Sequence, residues 1–289
     1  MKWFDYAAPR SLEEAFELLA AHPRAQLLAG GTDLLVQLRS GQKETDFVID
    51  VKGIPELNEI RYDSANGLTL GAAAPCCRIY GDRAVSQAYA ALAEVASLIG
   101  GVQIQSRASI GGNLCNAAPS ADSAPVLIAY RATCRIAGPS GAREVAVESF
   151  STGPGRTVLG PGELLVSLHL PPVEPRSGAC YLRLIPRNEM DIAVAGAGAA
   201  VAVEDGVFRA ARIALAAVAP TPLFVRQAGD YLVGKPVNPE SIQAAAEIAK
   251  AAAEPITDMR GTAEYRRHLC GVLTRRAVEG AVRRAVEAG

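Results

Sequence analysis

The sequence predicts an α+β protein with two domains, and three observations indicate this. Short apolar segments alternate with segments of helical periodicity in the first half, and turn dipeptides such as Asn66-Gly67 separate them. A Pro-rich segment, 171–176, then interrupts the pattern. Beyond it, Asp205-Gly206 joins two long apolar segments, as in an antiparallel hairpin, and helical periodicity follows. We therefore expect one domain over residues 1–175 and an antiparallel sheet with helices over residues 176–289.

The individual elements follow from local patterns. Ser11, with Glu14 three residues later, forms a capping box and predicts a helix that ends before His22-Pro23. Further helices are predicted at 84–99 and 124–130, and strands at 47–51, 60–62, 68–71, 131–137, 143–147 and 163–170. In the C-terminal part we expect strands at 179–186, 192–203 and 207–218, and helices at 222–232, 241–253 and 262–287.

A first glycine pair, Gly30-Gly31, follows a short apolar strand at 26–29 and precedes a helix predicted over 34–39. Either Thr32 or Asp33 can cap that helix. Unpaired N–H groups at such a turn attract anions, and the helix dipole adds to the effect. The spacing matches neither the dinucleotide fingerprint nor the P-loop. The turn is therefore either an anion site or a tight connection between strand and helix.

A second glycine pair, Gly111-Gly112, lies in a segment, 106–126, that contains few bulky side chains. Glycines there can adopt a positive φ and let another group approach bare backbone. Short polar side chains surround the pair, namely Asn113, Asn116, Ser120 and Asp122. Alone the segment is either a turn or a binding loop, and the earlier glycine pair favours binding.

Two further patterns lie in the C-terminal part. Gly196-Ala-Gly-Ala-Ala-Val201 mimics a dinucleotide fingerprint, but its sixth residue is Val and a hairpin follows where a helix is needed. The last helix carries an arginine face, which is either solvated surface or a contact for a partner protein. Its members are Arg266, Arg267, Arg275, Arg276, Arg283 and Arg284.

Composition excludes several classes of protein. The 289 residues include 29 basic and 30 acidic ones, a balance that argues against a nucleic-acid-binding surface. No apolar run approaches the roughly 18 residues of a membrane span, and the first residues lack the apolar core of a secretory signal, so we expect a cytoplasmic protein. The six cysteines form no C-x-x-C pair and are expected to be reduced and mostly buried.

Several segments together carry a family resemblance. Residues 28–35 read Leu-Ala-Gly-Gly-Thr-Asp-Leu-Leu, and residues 109–113 read Ser-Ile-Gly-Gly-Asn, with Asp122 in a following acidic position. Matches extend over the whole chain, through Phe4-Asp5-Tyr6, Gly153–Leu159, Asp191-Ile192-Ala193 and Arg260-Gly261. The chain thus resembles the FAD-binding medium subunit of the molybdenum hydroxylases, of the carbon monoxide dehydrogenase type and related to xanthine dehydrogenase.

The resemblance implies one FAD, held without a covalent bond in a two-part α/β domain of the vanillyl-alcohol oxidase type. It also implies a complex with a molybdopterin-binding large subunit and a small subunit with two [2Fe–2S] clusters, in a dimer of heterotrimers. Electrons would pass from molybdenum through the clusters to the flavin and on to an external acceptor. No metal site and no catalytic acid or base is expected in this chain.

The resemblance also implies a set of cofactor-binding residues. With no Lys or Arg in either glycine loop, backbone N–H groups would bind the diphosphate, and a β-carbon at any of the four glycines would hold it off. Asp122 would accept hydrogen bonds from the ribityl chain, and Arg183 stands where the family more often has a lysine near the flavin. The full set is Leu28, Ala29, Gly30, Gly31, Thr32, Asp33, Leu34, Ile99, Ala108, Ser109, Ile110, Gly111, Gly112, Asn113, Asp122, Leu165 and Arg183.

Two other functions remain open from the sequence. A self-sufficient FAD oxidoreductase of the same fold would need acid–base groups over the flavin, and His22, His169 and His268 all lie in unpromising places. A scaffold that keeps the fold without flavin would not need the intact glycine pairs or Asp122.

Overall fold

The structure is a computed structural model that describes residues 1–187 and 189–288. Its strands are β1 (Asp5–Ala7), β2 (Gln26–Leu28), β3 (Phe47–Asp50), β4 (Ile60–Asp63), β5 (Gly67–Gly71), β6 (Thr133–Gly138), β7 (Gly141–Ala146), β8 (Ser151–Gly153), β9 (Arg156–Thr157), β10 (Leu164–Leu170), β11 (Ser177–Leu184), β12 (Ala195–Glu204), β13 (Val207–Ala216) and β14 (Leu223–Phe224). Its α-helices are α1 (Leu12–Ala21), α2 (Leu34–Ser40), α3 (Cys76–Gly81), α4 (Arg83–Ala88), α5 (Ala90–Ala96), α6 (Val102–Gln105), α7 (Ile110–Asn116), α8 (Ser123–Ala129), α9 (Arg226–Leu232), α10 (Pro239–Ala252) and α11 (Ala263–Glu287). The predicted α+β class is confirmed.

The first part of the chain contains two main sheets. A parallel sheet of order β1-β3-β2 is joined by α1, whose N-cap Ser11 accepts the Glu14 N–H as predicted. An antiparallel sheet of order β4-β5-β10-β6-β7 follows. Its inner face buries Leu68, Leu70 and Leu168 against helices α3 to α8. Burial of this apolar surface is the main stabilising term for this part of the chain.

The C-terminal part is an antiparallel meander of order β11-β12-β13-β14. Helices α9 and α11 cover one face of the sheet, and α8 from the first part packs on the other face. Side chains alternate accordingly: Ala197 and Ala199 face the helices, whereas Tyr181 on β11 joins the core of the first part. The C-terminal sheet is therefore buried on both faces.

One long helix predicted over 84–99 is interrupted. Tyr89 separates α4 from α5, with non-helical φ −125° and ψ 53°. Its ring is fully buried, and its hydroxyl donates a hydrogen bond to the Pro171 carbonyl oxygen at 2.8 Å. Packing with a residue far along the chain thus overrides helical periodicity at this position.

Two other elements differ from their predicted form. The helix predicted over 222–232 starts only at Arg226, because Leu223–Phe224 instead pair with β13 as the edge strand β14. The glycine-rich segment predicted as a loop contains α7, with both Gly111 and Gly112 inside the helix. Neither of these two glycines has a positive φ, contrary to expectation. Within the described residues, no helix combines the length and apolar character needed to cross a bilayer.

The contact between β11 and α11 generates a prediction about stability. A β-carbon on Gly178 would lie 2.3 Å from the Ala281 carbonyl oxygen and 2.6 Å from the Ala285 nitrogen, so α11 would have to move outward. We expect Gly178→Ala to lower the free energy of unfolding by about 2 kcal/mol, measured by urea denaturation. Gly81→Ala is the matched control, because a β-carbon there meets open space. Equal stability of the two variants would contradict the packing described.

Candidate functional site

The two glycine segments meet backbone against backbone. A β-carbon on Gly30 would lie 2.1 Å from the Arg107 carbonyl oxygen and 2.9 Å from the Ala108 Cα. No side chain fits into such a gap, so only glycine permits the approach. The turn after β2 and the turn before α7, far apart in the sequence, therefore form one surface.

The first turn leaves its backbone donors unpaired. Gly31 adopts φ +77°, which redirects the chain from β2 into α2. Asp33 occupies the N-cap position of α2 but makes no capping hydrogen bond with its side chain. Among the described residues, none of the N–H groups of residues 29–33 donates a hydrogen bond to another protein group. These N–H groups are available to an external acceptor such as an anion.

The second turn is held more tightly. Ser109 is the N-cap of α7, and its Oγ accepts the Gly112 N–H at 3.1 Å. Gly111 packs directly against Ala72, the residue that follows β5. An added β-carbon on Gly111 would lie 2.4 Å from the Ala72 carbonyl oxygen. The short helix is thereby fixed against the antiparallel sheet, with its start directed at the first turn.

The structure shows a requirement for glycine that the sequence did not indicate. The β-carbons of Gly30 and Gly111 would collide with protein backbone, and that of Gly31 with the Leu28 side chain at 2.8 Å. Obstruction of a bound diphosphate by such β-carbons stays a prediction. At Gly112 the nearest atom is the Ser109 Oγ, at 3.0 Å. The glycines make the site possible by letting its walls approach each other.

A cavity of about 370 Å³ lies where the two turns meet. Most of the predicted site residues line it, namely Ala29, Gly30, Gly31, Thr32, Asp33, Leu34, Ile99, Ala108, Ser109, Gly111, Gly112, Asn113 and Leu165. Leu28, Ile110, Asp122 and Arg183 do not line it. Ile110 is a core residue with 1% exposure, so only its backbone can face a ligand.

Lys43 also lines this cavity, although sequence reasoning did not identify it. It follows α2 in an exposed turn, and among the described residues its ammonium group lies within 4 Å of no carboxylate. Packing around the carboxyl of Asp33 raises its pKa, and the positive charge of Lys43 opposes this shift. Among the described residues, the cavity lining therefore combines backbone donors with the cationic side chain of Lys43. A lysine in a polar surface turn carries no local signal that would single it out.

Other polar residues hold the walls of the cavity together. The Gln37 side-chain amide on α2 donates to the Asn116 Oδ1 on α7 at 2.9 Å, which joins the two helices that follow the glycine turns. Glu163, also at the cavity, accepts hydrogen bonds from Arg143, and this contact lowers the pKa of its carboxyl to about 2. Glu163 is therefore ionised at neutral pH and is no proton donor.

Asp122 and Arg183 form a buried cluster of their own next to the cavity. The Tyr181 hydroxyl donates to the Asp122 Oδ1 at 2.6 Å, and the Arg183 guanidinium pairs with the Oδ2. Burial raises the pKa of Asp122, while Arg183 and Tyr181 act in the opposite direction. Arg183 also donates to the Leu98 carbonyl oxygen at 3.1 Å, beside the cavity residue Ile99. Sequence reasoning named the two charged residues but missed Tyr181.

No histidine is among the described residues that line the cavity. His22 stacks on Phe47 with ring centroids 3.8 Å apart, His169 lies within β10, and His268 is exposed on α11. Within the described part of the chain, the cavity lining thus provides anion donors and apolar side chains but no imidazole for proton transfer near pH 7. It is suited to binding a large anionic ligand.

Comparison with known proteins identifies such a ligand. Residues 2–173 match the family model described as the FAD binding domain in molybdopterin dehydrogenase. Residues 180–281 match the model of the CO dehydrogenase flavoprotein C-terminal domain. Together the two models account for nearly the whole chain, and both describe flavoproteins.

Individual relatives agree with the family models. The xanthine dehydrogenase FAD-binding subunit of Escherichia coli O157:H7 is 34% identical over 284 residues, which cover 96% of this chain and 97% of the relative. The carbon monoxide dehydrogenase medium chain of Hydrogenophaga pseudoflava is 34% identical over 279 residues, 96% of each chain. A solved structure of the Hydrogenophaga enzyme superposes with a TM-score of 0.94 at 34% identity over 98% of both chains. The resemblance seen in the glycine segments is confirmed, and the chain belongs to the FAD-binding subunits of the molybdenum hydroxylase family.

Proposed function

We propose that this chain is the flavoprotein subunit of a molybdenum-dependent hydroxylase or dehydrogenase, and that its FAD diphosphate binds where the two glycine turns meet. The observation that carries the proposal is the contact of Gly30 with the Arg107–Ala108 backbone, which assembles one cavity from two distant segments. When bound, FAD supplies the electron-accepting and electron-donating chemistry, and the protein supplies binding and electrostatics.

The first turn fits a diphosphate by its donors. Residues 29–33 present N–H groups that no protein acceptor uses among the described residues, and the start of α2 adds its dipole. Lys43 adds a positive charge at the rim of the cavity. Because this lysine is exposed, its ammonium group can partly neutralise the two negative charges of the diphosphate without a large desolvation cost. Asp33 makes no capping hydrogen bond with its side chain, so its carboxyl does not occupy the N–H groups at the start of α2.

The rest of the cavity fits the ring systems. Ile99 and Leu165 provide apolar side chains to the cavity lining, which suits contact with the ring systems. The Asp122–Arg183 cluster lies behind Ile99, through the contact of Arg183 with the Leu98 carbonyl. We propose that the isoalloxazine end extends toward this cluster, where Asp122 retains lone pairs for the ribityl hydroxyls and Arg183 contributes positive charge.

The proposed partners are a molybdopterin-binding large subunit and a small subunit with two [2Fe–2S] clusters, in a dimer of heterotrimers. Support comes from the relatives, which are named as subunits or medium chains of carbon monoxide and xanthine dehydrogenases. The cavity lining supports the same proposal, since its described residues include backbone donors for a cofactor and no histidine for substrate chemistry. We place the complex in the cytoplasm, where all six cysteines would remain reduced, in agreement with their unpaired positions in the fold.

Gly30→Ala tests the proposed diphosphate site. We expect the purified wild-type chain to be yellow, with FAD released by acid. The alanine variant should bind FAD at least about tenfold more weakly, because its β-carbon separates the two turns and misplaces their donors. Fluorescence titration of the flavin-free chain with FAD measures the affinity, and Gly81→Ala controls for a glycine replacement in open space. Full affinity in a folded Gly30→Ala chain would place the diphosphate elsewhere.

Co-purification tests the proposed complex. An affinity-tagged chain isolated from its native host should bring two further polypeptides with it, and the preparation should contain molybdenum and iron in addition to FAD. Metal analysis of the intact complex makes the measurement. A chain that carries FAD, lacks both metals and reduces an acceptor with its own substrate would identify a self-sufficient oxidoreductase instead.

A further inference from the structure

We propose that Tyr181, on the C-terminal sheet, is a positioning residue of the flavin site, and that it acts together with Arg183 on two walls of the cavity. The inference rests on the proposed FAD site and extends it, since neither side chain lines the cavity between the glycine turns. Both act through hydrogen bonds to residues of the first domain, one step removed from the ligand.

One connection runs from Tyr181 to the second glycine turn. Its hydroxyl donates to the Asp122 Oδ1 at 2.6 Å, and Asp122 immediately precedes α8. The next residue, Ser123, is fully buried and donates from its Oγ to the Asn113 Oδ1 at 2.6 Å. Asn113 lies on α7 and lines the cavity. The orientation of Asn113 therefore depends on where Tyr181 holds the start of α8.

A second connection runs from Arg183 to the part of the cavity that Ile99 lines. Its guanidinium pairs with the Asp122 Oδ2 and donates to the Leu98 carbonyl oxygen at 3.1 Å. Ile99, the next residue, lines the cavity. The side chains of Arg183 and Asp122 are only 8% and 11% exposed, so the ion pair is shielded from solvent and its geometry is well defined.

Two glycines of the C-terminal sheet leave room for this cluster. A β-carbon on Gly196 of β12 would lie 2.5 Å from the Tyr181 hydroxyl oxygen, and one on Gly198 would lie 2.9 Å from the Pro125 backbone at the start of α8. These two glycines belong to the segment that mimics a dinucleotide fingerprint. They let the sheet approach α8 closely enough for Tyr181 to reach Asp122.

The charge state of Asp122 controls the connection through Arg183. The titratable groups that face its carboxyl are Tyr181 and Arg183, which both favour the ionised form, against the effect of burial. Only the ionised form sustains the ion pair with Arg183. Without the tyrosine hydroxyl, the carboxyl pKa rises, and the pair is lost at a higher pH as the solution is acidified.

Tyr181→Phe is the direct test, made on the full chain freed of flavin and titrated with FAD. We expect affinity about tenfold weaker than wild type, and a decline of affinity on acidification that begins at a higher pH. The dependence of FAD affinity on pH distinguishes the two explanations. A role through Asp122 shifts this dependence, whereas a general loss of packing lowers the affinity at every pH. Tyr231→Phe is the matched control, since this tyrosine is 37% exposed on α9, and we expect it to leave both affinity and profile unchanged.

Ser123→Ala supplies a second, independent variant. It breaks the connection to Asn113 but leaves the Asp122 cluster intact, so affinity should fall several-fold without a shift of the pH profile. Wild-type affinity and profile in Tyr181→Phe would overturn the proposal. If that variant does not fold, wild-type affinity in Ser123→Ala overturns it. A wild-type chain that fails to bind FAD would instead refute the proposed function itself.

Discussion

The approach of Gly30 to the backbone of Arg107 and Ala108 is the constraint on which the site depends. It joins a turn of the parallel sheet to a turn supported by the antiparallel sheet, and a β-carbon at 2.1 Å from the Arg107 oxygen would prevent the contact. Neither turn alone encloses a ligand. A diphosphate that spans both would therefore bind only when the two sheets are folded against each other, which couples cofactor affinity to the packing of the whole first domain.

The C-terminal sheet also makes close contacts that depend on glycine. It is buried between its own helices and α8, and glycines at 196 and 198 remove the side chains that would keep it from α8. Through the buried Asp122 cluster, it connects to the segment that carries Ile99 and to Asn113 on α7. None of the described residues of the C-terminal part lines the cavity between the glycine turns, yet this part contacts residues adjacent to those that do.

Sequence patterns predicted most elements because the signals were local. The capping box at Ser11 and the turn at Gly31 depend on neighbours in the chain, and the structure agrees with both. The prediction failed where distant contacts decide, as at Tyr89, whose buried ring and bond to Pro171 break a helix. The same applies to the site: the family motif identified the glycine turns, whereas Lys43 and Tyr181 join the site only through tertiary folding.

Hydrogen exchange of individual backbone amides tests most directly whether the first glycine turn, after β2, donates hydrogen bonds to the diphosphate. The exchange rates of the Gly30, Gly31 and Thr32 N–H groups should be measured by NMR on the full chain, without FAD and then saturated with it. Since these donors have no protein acceptor among the described residues, we predict fast exchange in the free chain and marked slowing in the loaded one. Stoichiometric FAD binding with unchanged exchange at all three amides would contradict the account.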